Sequence, residues 1–291
     1  SATSQNGKSE FASANDTGPV NVITEDPTCE AWSVVGNTLV DEEKKVNWGN
    51  RDASVPVTSW TPEQKAMFET VGRAFRTAAD KSVNLTKKTP HRVMRELYEQ
   101  FIVYSREFSD KISSYDPRDD DLAKVADGIG SVLANICGSI VYGSALKQGP
   151  LVPSPERPTE AAPVSDIADV RPMLKQESGI CAQWAARMKQ FFADTAAWQA
   201  LDVNVSEKDW SPDQRAINEQ VAPVMTTFAS DIEALGRSSG NSVVEDFAVL
   251  SAQYRRAFVQ ALPSYTPADN YLANVATYMA LTVDQACAAA A

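Results

Sequence analysis

The sequence predicts an all-α protein built from two tandem, disulfide-stapled four-helix bundles that arise from an internal duplication. Three observations carry this. Cys29-Glu-Ala-Trp returns as Cys181-Ala-Gln-Trp, Trp60-Thr-Pro-Glu-Gln-Lys-Ala returns as Trp210-Ser-Pro-Asp-Gln-Arg-Ala, and Ser114-Tyr115-Asp116-Pro117 returns as Ser264-Tyr265-Thr266-Pro267. A register held over a whole domain is the signature of a repeat. Each copy opens and closes with a cysteine, Cys29 and Cys137 in the first and Cys181 and Cys287 in the second. Apolar residues recur at steps of three and four, and no stretch sustains the alternation of a strand.

Each copy reads as four helices. The first starts at the opening cysteine and carries Trp32, Val35 and Leu39 on one face. The second starts at Thr61-Pro62-Glu63-Gln64, or Ser211-Pro212-Asp213-Gln214. A hydroxyl cap, a proline at the first helical position and a glutamine three residues after the cap form a capping box with φ already set. The third carries Val93, Leu97, Phe101, Tyr104, Phe108 and Ile112, answered by Val243, Phe247, Ser251 (with Leu250 beside it), Tyr254, Phe258 and Leu262. A fourth follows Asp116-Pro117 or Thr266-Pro267, with acids where the helix dipole favours them. Its stripe is Leu122, Val125, Ile129, Val132 and Ile136, mirrored by Leu272, Val275, Met279, Thr282 and Ala286.

This pattern divides the chain into a disordered polar tail (1–26), bundle 1 (27–145), a proline-rich linker (146–166) and bundle 2 (167–291). The linker, Gly149-Pro-Leu-Val-Pro-Ser-Pro-Glu-Arg-Pro158, predicts a semi-rigid extended spacer. It leaves open whether the bundles stand apart or dock.

Four cysteines allow three pairings. The repeat selects Cys29–Cys137 and Cys181–Cys287, the only pairing that gives both copies the same structure. With no Cys-x-x-Cys and one histidine, a zinc site is not expected. Disulfides persist outside the reducing cytosol, so the protein reads as exported. The chain begins Ser-Ala-Thr-Ser with neither an initiator Met nor an apolar signal core, which reads as a mature or shortened form whose targeting or anchoring segment has been removed.

The net charge is −11, and residues 29–143 hold 17 acids against 15 bases while residues 181–287 hold 12 against 7. Neither half offers a surface to neutralise phosphates, which argues against nucleic acid as a partner. Catalytic sets are equally hard to find. The single His91 follows Thr89-Pro90 at a helix start, Asn241 replaces it in the second copy, and no nucleophile elbow is present. Asp119-Asp120-Asp121 opens a helix without the alternating acids of a calcium loop. No cofactor and no metal are expected, and the chain reads as no enzyme.

Six tryptophans form three matched pairs, Trp32/Trp184, Trp48/Trp198 and Trp60/Trp210. The first and third read as core and loop anchors. Trp48 and Trp198 lie in polar loops and are the candidate ligand-lining residues. The order Cys-x-x-Trp, Trp-[Ser/Thr]-Pro-[Glu/Asp]-Gln-[Lys/Arg]-Ala, Tyr-x-Pro and a final cysteine resembles exported or membrane-anchored tandem helical-domain proteins of mycobacteria and related actinobacteria, of unknown function. That resemblance implies an envelope location and a short anchor followed by a stalk, and it assigns no catalytic residue. The expected function is a non-enzymatic extracytoplasmic binding or adaptor module, with an envelope protein or a cell-wall or lipid component as partner. The alternative is a lipid or small-molecule carrier with an apolar pocket between its helices. Non-reducing peptide mapping is expected to join Cys29 to Cys137 and Cys181 to Cys287; a bridge linking the two copies would break the scheme.

Overall fold

A computed structural model describes residues 10–291, and among them all regular structure is helical. The first half holds α1 (Cys29–Lys45), α2 (Pro62–Lys88), α3 (Arg92–Lys111), α4 (Asp120–Val141) and the short α5 (Ser144–Gln148). The second holds α6 (Cys181–Asp194), the one-turn α7 (Ala196–Gln199), α8 (Pro212–Ser238), α9 (Ser242–Ala261) and α10 (Asn270–Ala290). In the first half α2 packs on α3, α3 on α4, and α1 closes over α2 and α4. The second half repeats this with α8, α9, α10 and α6.

The halves agree in detail where the sequence shares motifs. Gln64 N donates to Thr61 Oγ1 at 3.1 Å while Thr61 N donates to Gln64 Oε1 at 2.9 Å, and Ser211 with Gln214 does the same at 3.1 and 2.8 Å. Each box starts a helix of 27 residues. Tyr115 donates its hydroxyl to Ala53 O at 2.7 Å, as Tyr265 does to Val203 O at 2.6 Å. The indoles of Trp60 and Trp210 donate to Val55 O and Val205 O, fixing the loop before each box. Cys29 is bonded to Cys137 and Cys181 to Cys287, tying the first helix of each half to its last long one.

The halves are not separate bundles. Their buried apolar side chains form one continuous core, and the seam is an antiparallel packing of α4 on α10. Close approach depends on small residues. A Cβ added at Gly128 would collide with Thr282 Oγ1, and one at Gly138 would sit 2.5 Å from the Tyr271 ring. Across the same seam Asn274 Nδ2 donates to Asn135 Oδ1 at 3.1 Å, and Tyr142 stacks on Tyr271 at 5.3 Å. The stretch Pro117–Val141 is long and apolar enough to span a membrane by composition alone. Here its apolar residues, Leu122 through Ile136, are buried in protein.

Two expectations about the connecting segments are corrected. The tail drawn over 1–26 is not loose where it is described; residues 1–9 lie outside the described residues. Phe11, Val20, Val22 and Ile23 are buried. The reason is that the arm crosses to the other half, where Ile23 N donates to Tyr254 Oη at 3.1 Å, while His91 Nε2 lies 2.8 Å from Glu25 O on its own half. The segment before α6 answers it. Met173 N donates to Gln100 Oε1 of α3 at 2.8 Å, and Asn241, the residue matched to His91, donates to Met173 O at 2.6 Å. Each arm is therefore held at the start of its own third helix and laid across the third helix of the other half.

The linker does not act as a free spacer either. Val152 is buried, Gln253 Nε2 donates to Pro153 O, and Arg237 donates to Glu156 O and Arg157 O. Beneath the arms, Arg92 Nε and Nη2 grip Asp246 at 2.9 and 3.0 Å with both side chains 2% exposed. Arg92 also donates to Asp16 O and Gly18 O. One guanidinium thus ties arm, first half and second half together. Gly128→Val is expected to destabilise the fold by about 1–3 kcal/mol, the usual cost of overpacking, with Gly49→Ala near neutral because nothing lies within 4 Å of its position. Thermal melts of the two variants check this, and equal melting temperatures would place the seam elsewhere.

Candidate functional site

The two halves part company at the end where the loop after the first helix meets the start of the fourth. In the first half this end is filled. Trp48 is 1% exposed, so it lines no groove, against the expectation from its polar loop. It packs edge-on to Phe68 at 5.0 Å and lies 5.9 Å from Phe108. Arg51 covers its face, with Cζ 4.0 Å from the ring centroid, and donates from Nε to Asp120 Oδ1 at 2.8 Å. Two acids of the aspartate run are therefore engaged by cations of the chain itself, Asp120 by Arg51 and Lys124 and Asp121 by Lys124, while Asp119 accepts from Asp116 N. Behind this plug the carboxyls of Glu43 and Asp127 face each other.

In the second half the same end is open. A cavity of about 260 Å³ is walled by Phe191, Trp198, Trp210, Phe258, Tyr265 and Thr277, among others. Trp198, matched to Trp48, is half-buried and forms part of the wall, 5.5 Å from Phe258. The cause is legible residue by residue. Asn218 stands where the first half has Phe68, so the ring that fills the space is missing. Leu201 replaces Arg51, Asn270 replaces Asp120 and Thr277 replaces Asp127, so the ionic plug is missing too. Asn218, Leu201, Asn270 and Thr277 all line the cavity. Its wall is thus aromatic with neutral amides and hydroxyls, and Asp202 is the one acid at its rim.

Aromatic faces with a few convergent polar groups are the general make-up of a ligand pocket. The volume lies just under the usual range of about 300–1,000 Å³ for small-molecule sites. It suits one aromatic or branched apolar group better than a whole lipid. One charged side chain stands directly behind the wall. Arg255, 1% exposed, places its guanidinium 4.7 Å from the Phe191 ring and donates from Nη2 to Thr277 Oγ1 at 2.8 Å. Its Nε and Nη1 are buried without a partner, and desolvation pulls its pKa down.

Sequence reasoning singled out Trp198 and missed Arg255, Asn218 and Thr277. The signal that could have found the last two was the set of in-register differences from Phe68 and Asp127. His91, weighed there against catalysis, serves as the anchor of the N-terminal arm.

Residues 11–291 match the family described as mycobacterial ESX-1 associated protein. An uncharacterized protein of Mycolicibacterium smegmatis (strain MKD8) is 44% identical over 283 residues, which cover 97% of this chain and 75% of that protein. No solved structure matches the chain.

The filled end carries its own pH signature. Burial and the facing Asp127 push Glu43 well above the ordinary carboxylic range. Burial likewise raises Asp127, against the pull of its hydrogen bond from Glu43 and of the nearby Arg51. The folded pair therefore keeps a proton at neutral pH that the unfolded chain releases. The resulting stabilisation is full below the ordinary carboxylate pKa and is lost as pH rises toward the raised value. Glu43→Gln is accordingly expected to melt above the wild type at pH ~8, with the gap closing toward pH ~4. A gap that widens on acidification would contradict the shared proton.

Proposed function

The chain belongs to the family of mycobacterial ESX-1 associated proteins, and from that membership we propose a non-enzymatic, extracytoplasmic binding module that serves the ESX-1 secretion system from the cell envelope. The two disulfides support a site of action outside the reducing cytosol. The observation that carries the binding role is the unequal pair of ends. One half closes its end with Trp48, Phe68 and an Arg51–Asp120 bridge, while the other keeps the tryptophan as Trp198, replaces Phe68, Arg51 and Asp120 with Asn218, Leu201 and Asn270, and leaves an aromatic-walled cavity.

A fold that only needed to be stable would gain by filling that space, because a void forfeits the contacts its lining could make. The open end is the part of the molecule arranged to receive something. The first half acts as the rigid support that holds α10, and with it Asn270, Asn274 and Thr277, in place. The occupant under this reading is an aromatic or branched apolar group of an envelope partner, inserted between Trp198 and Trp210. A carrier of one small apolar molecule is the second reading, favoured by the same aromatic walls.

Asn218→Phe restores the missing ring and tests the proposal directly. Saturation-transfer NMR with indole and cyclohexanol as probes is expected to report binding to the wild type and its loss in the variant, whose melting temperature is equal or higher. In a strain lacking the protein, wild-type chain should restore ESX-1-dependent export and Asn218→Phe should not. Probe binding that survives the variant, or full restoration by it, would move the function away from this end.

A further inference from the structure

We propose that the floor of the second-half cavity recognises a carboxylate attached to the apolar group that fills it, through the hydroxyl of Thr277 backed by the buried Arg255. This deepens the binding role just described and rests on the cavity being the site. The first observation is an uncompensated charge. Arg255 is buried, no acid of the described chain pairs with it, and two of its three nitrogens find no acceptor. Burying a charge without a counter-charge is costly, and proteins keep such groups where something else supplies the opposite sign.

The second observation is direction. Both contacts of the guanidinium, the Phe191 ring and Thr277 Oγ1, belong to the cavity wall. Because Nη2 donates to Thr277 Oγ1, that oxygen is already an acceptor, and its own O–H must donate to something else. Thr282 and Thr226 spend theirs on the carbonyl one turn back in their helices. Thr277 makes no such bond, which leaves its proton for the cavity. A hydroxyl polarised by a cation behind it is a strengthened donor to an anion in front of it.

The comparison with the first half gives the same answer. There Asp127 occupies the Thr277 position and Ser105 the Arg255 position. The first half thus carries its own carboxylate at this depth and no cation behind it. The second half exchanges the carboxylate for a hydroxyl and adds the cation. A ligand carboxylate would complete what the chain lacks. The surrounding charges permit it. Asp202 is exposed at the rim, away from the floor, and Arg215, stacked over Trp210 at 5.7 Å, is occupied by Glu207 at 2.7 Å.

Such a carboxylate could end a small aromatic acid or the C-terminus of a partner polypeptide. The experiment compares 3-phenylpropanoate with 3-phenylpropanamide, and Gly-Gly-Phe with its C-terminal amide, by ligand-observed NMR titration of the full chain. The acids are expected to bind ~10-fold tighter than their amides, the scale of one charge-assisted hydrogen bond. Thr277→Val and Arg255→Met should each reduce that ratio to about one while the amides still bind, and Arg255→Lys should keep part of the preference. Arg255→Met is expected to fold, since replacing an unpaired buried charge with an apolar chain is neutral or stabilising. Acid preference in the small pair alone or in the peptide pair alone supports the proposal and names the source. Equal binding of acid and amide to the wild type overturns it and leaves the cavity as a site. No binding by any probe overturns both.

Discussion

The whole structure depends on the fourth helices of the two halves lying against each other. α4 and α10 can approach only where one of them gives up side-chain volume, at Gly128 under Thr282 and at Gly138 under Tyr271. Each helix therefore serves two neighbours, its own bundle on one side and the opposite half on the other. Once that seam is set, the remaining long-range contacts follow from it. The third helices come near enough for Arg92 to reach Asp246. The arm before each first helix then has a shelf in the other half on which to lie, Tyr254 for one and Gln100 for the other.

Support of this kind explains how one half can leave a hole in itself. The first half fills its loop end with stacked rings and an ion pair. The second gives up that packing but remains braced by its disulfide, by the seam and by the linker lying along α8 and α9. The cavity wall is drawn from α6, α7, α8, α9 and α10, and every one of these is held by something other than the missing plug. The open end is a preorganised shape rather than a loosened one, and preorganisation is what makes a pocket useful for recognition.

Much of the local structure was readable from the sequence because it depends on residues close together in the chain. The capping boxes at Thr61 and Ser211 and the apolar stripe of α3 from Val93 to Phe108 are of that kind. The docking of the halves was hidden because periodicity reports one buried face per helix. α4 has a second one. Ala123, Ala126 and Leu133 are as buried as Val125 and Ile129, and a run of small residues with glycines beside the main stripe was the available hint. The arm escaped for a similar reason: Val20, Val22 and Ile23 are too few to show a period, and they earn burial only against a surface made by the other half. Trp48 was misread because its neighbours in sequence are polar. Its neighbours in space are Phe68 and Phe108. The open end was legible in principle, since it lies wholly in the differences between matched positions.

A symmetric dimer of identical chains cannot do what this molecule does. There, any residue that opens one end opens the other, and any cation placed behind one wall appears behind both. Joining the halves in one chain frees position 218 from position 68 and position 255 from position 105. The consequence is a fixed valency. Under the binding role proposed above, each copy brings one open end and one filled end, held in a fixed direction relative to each other.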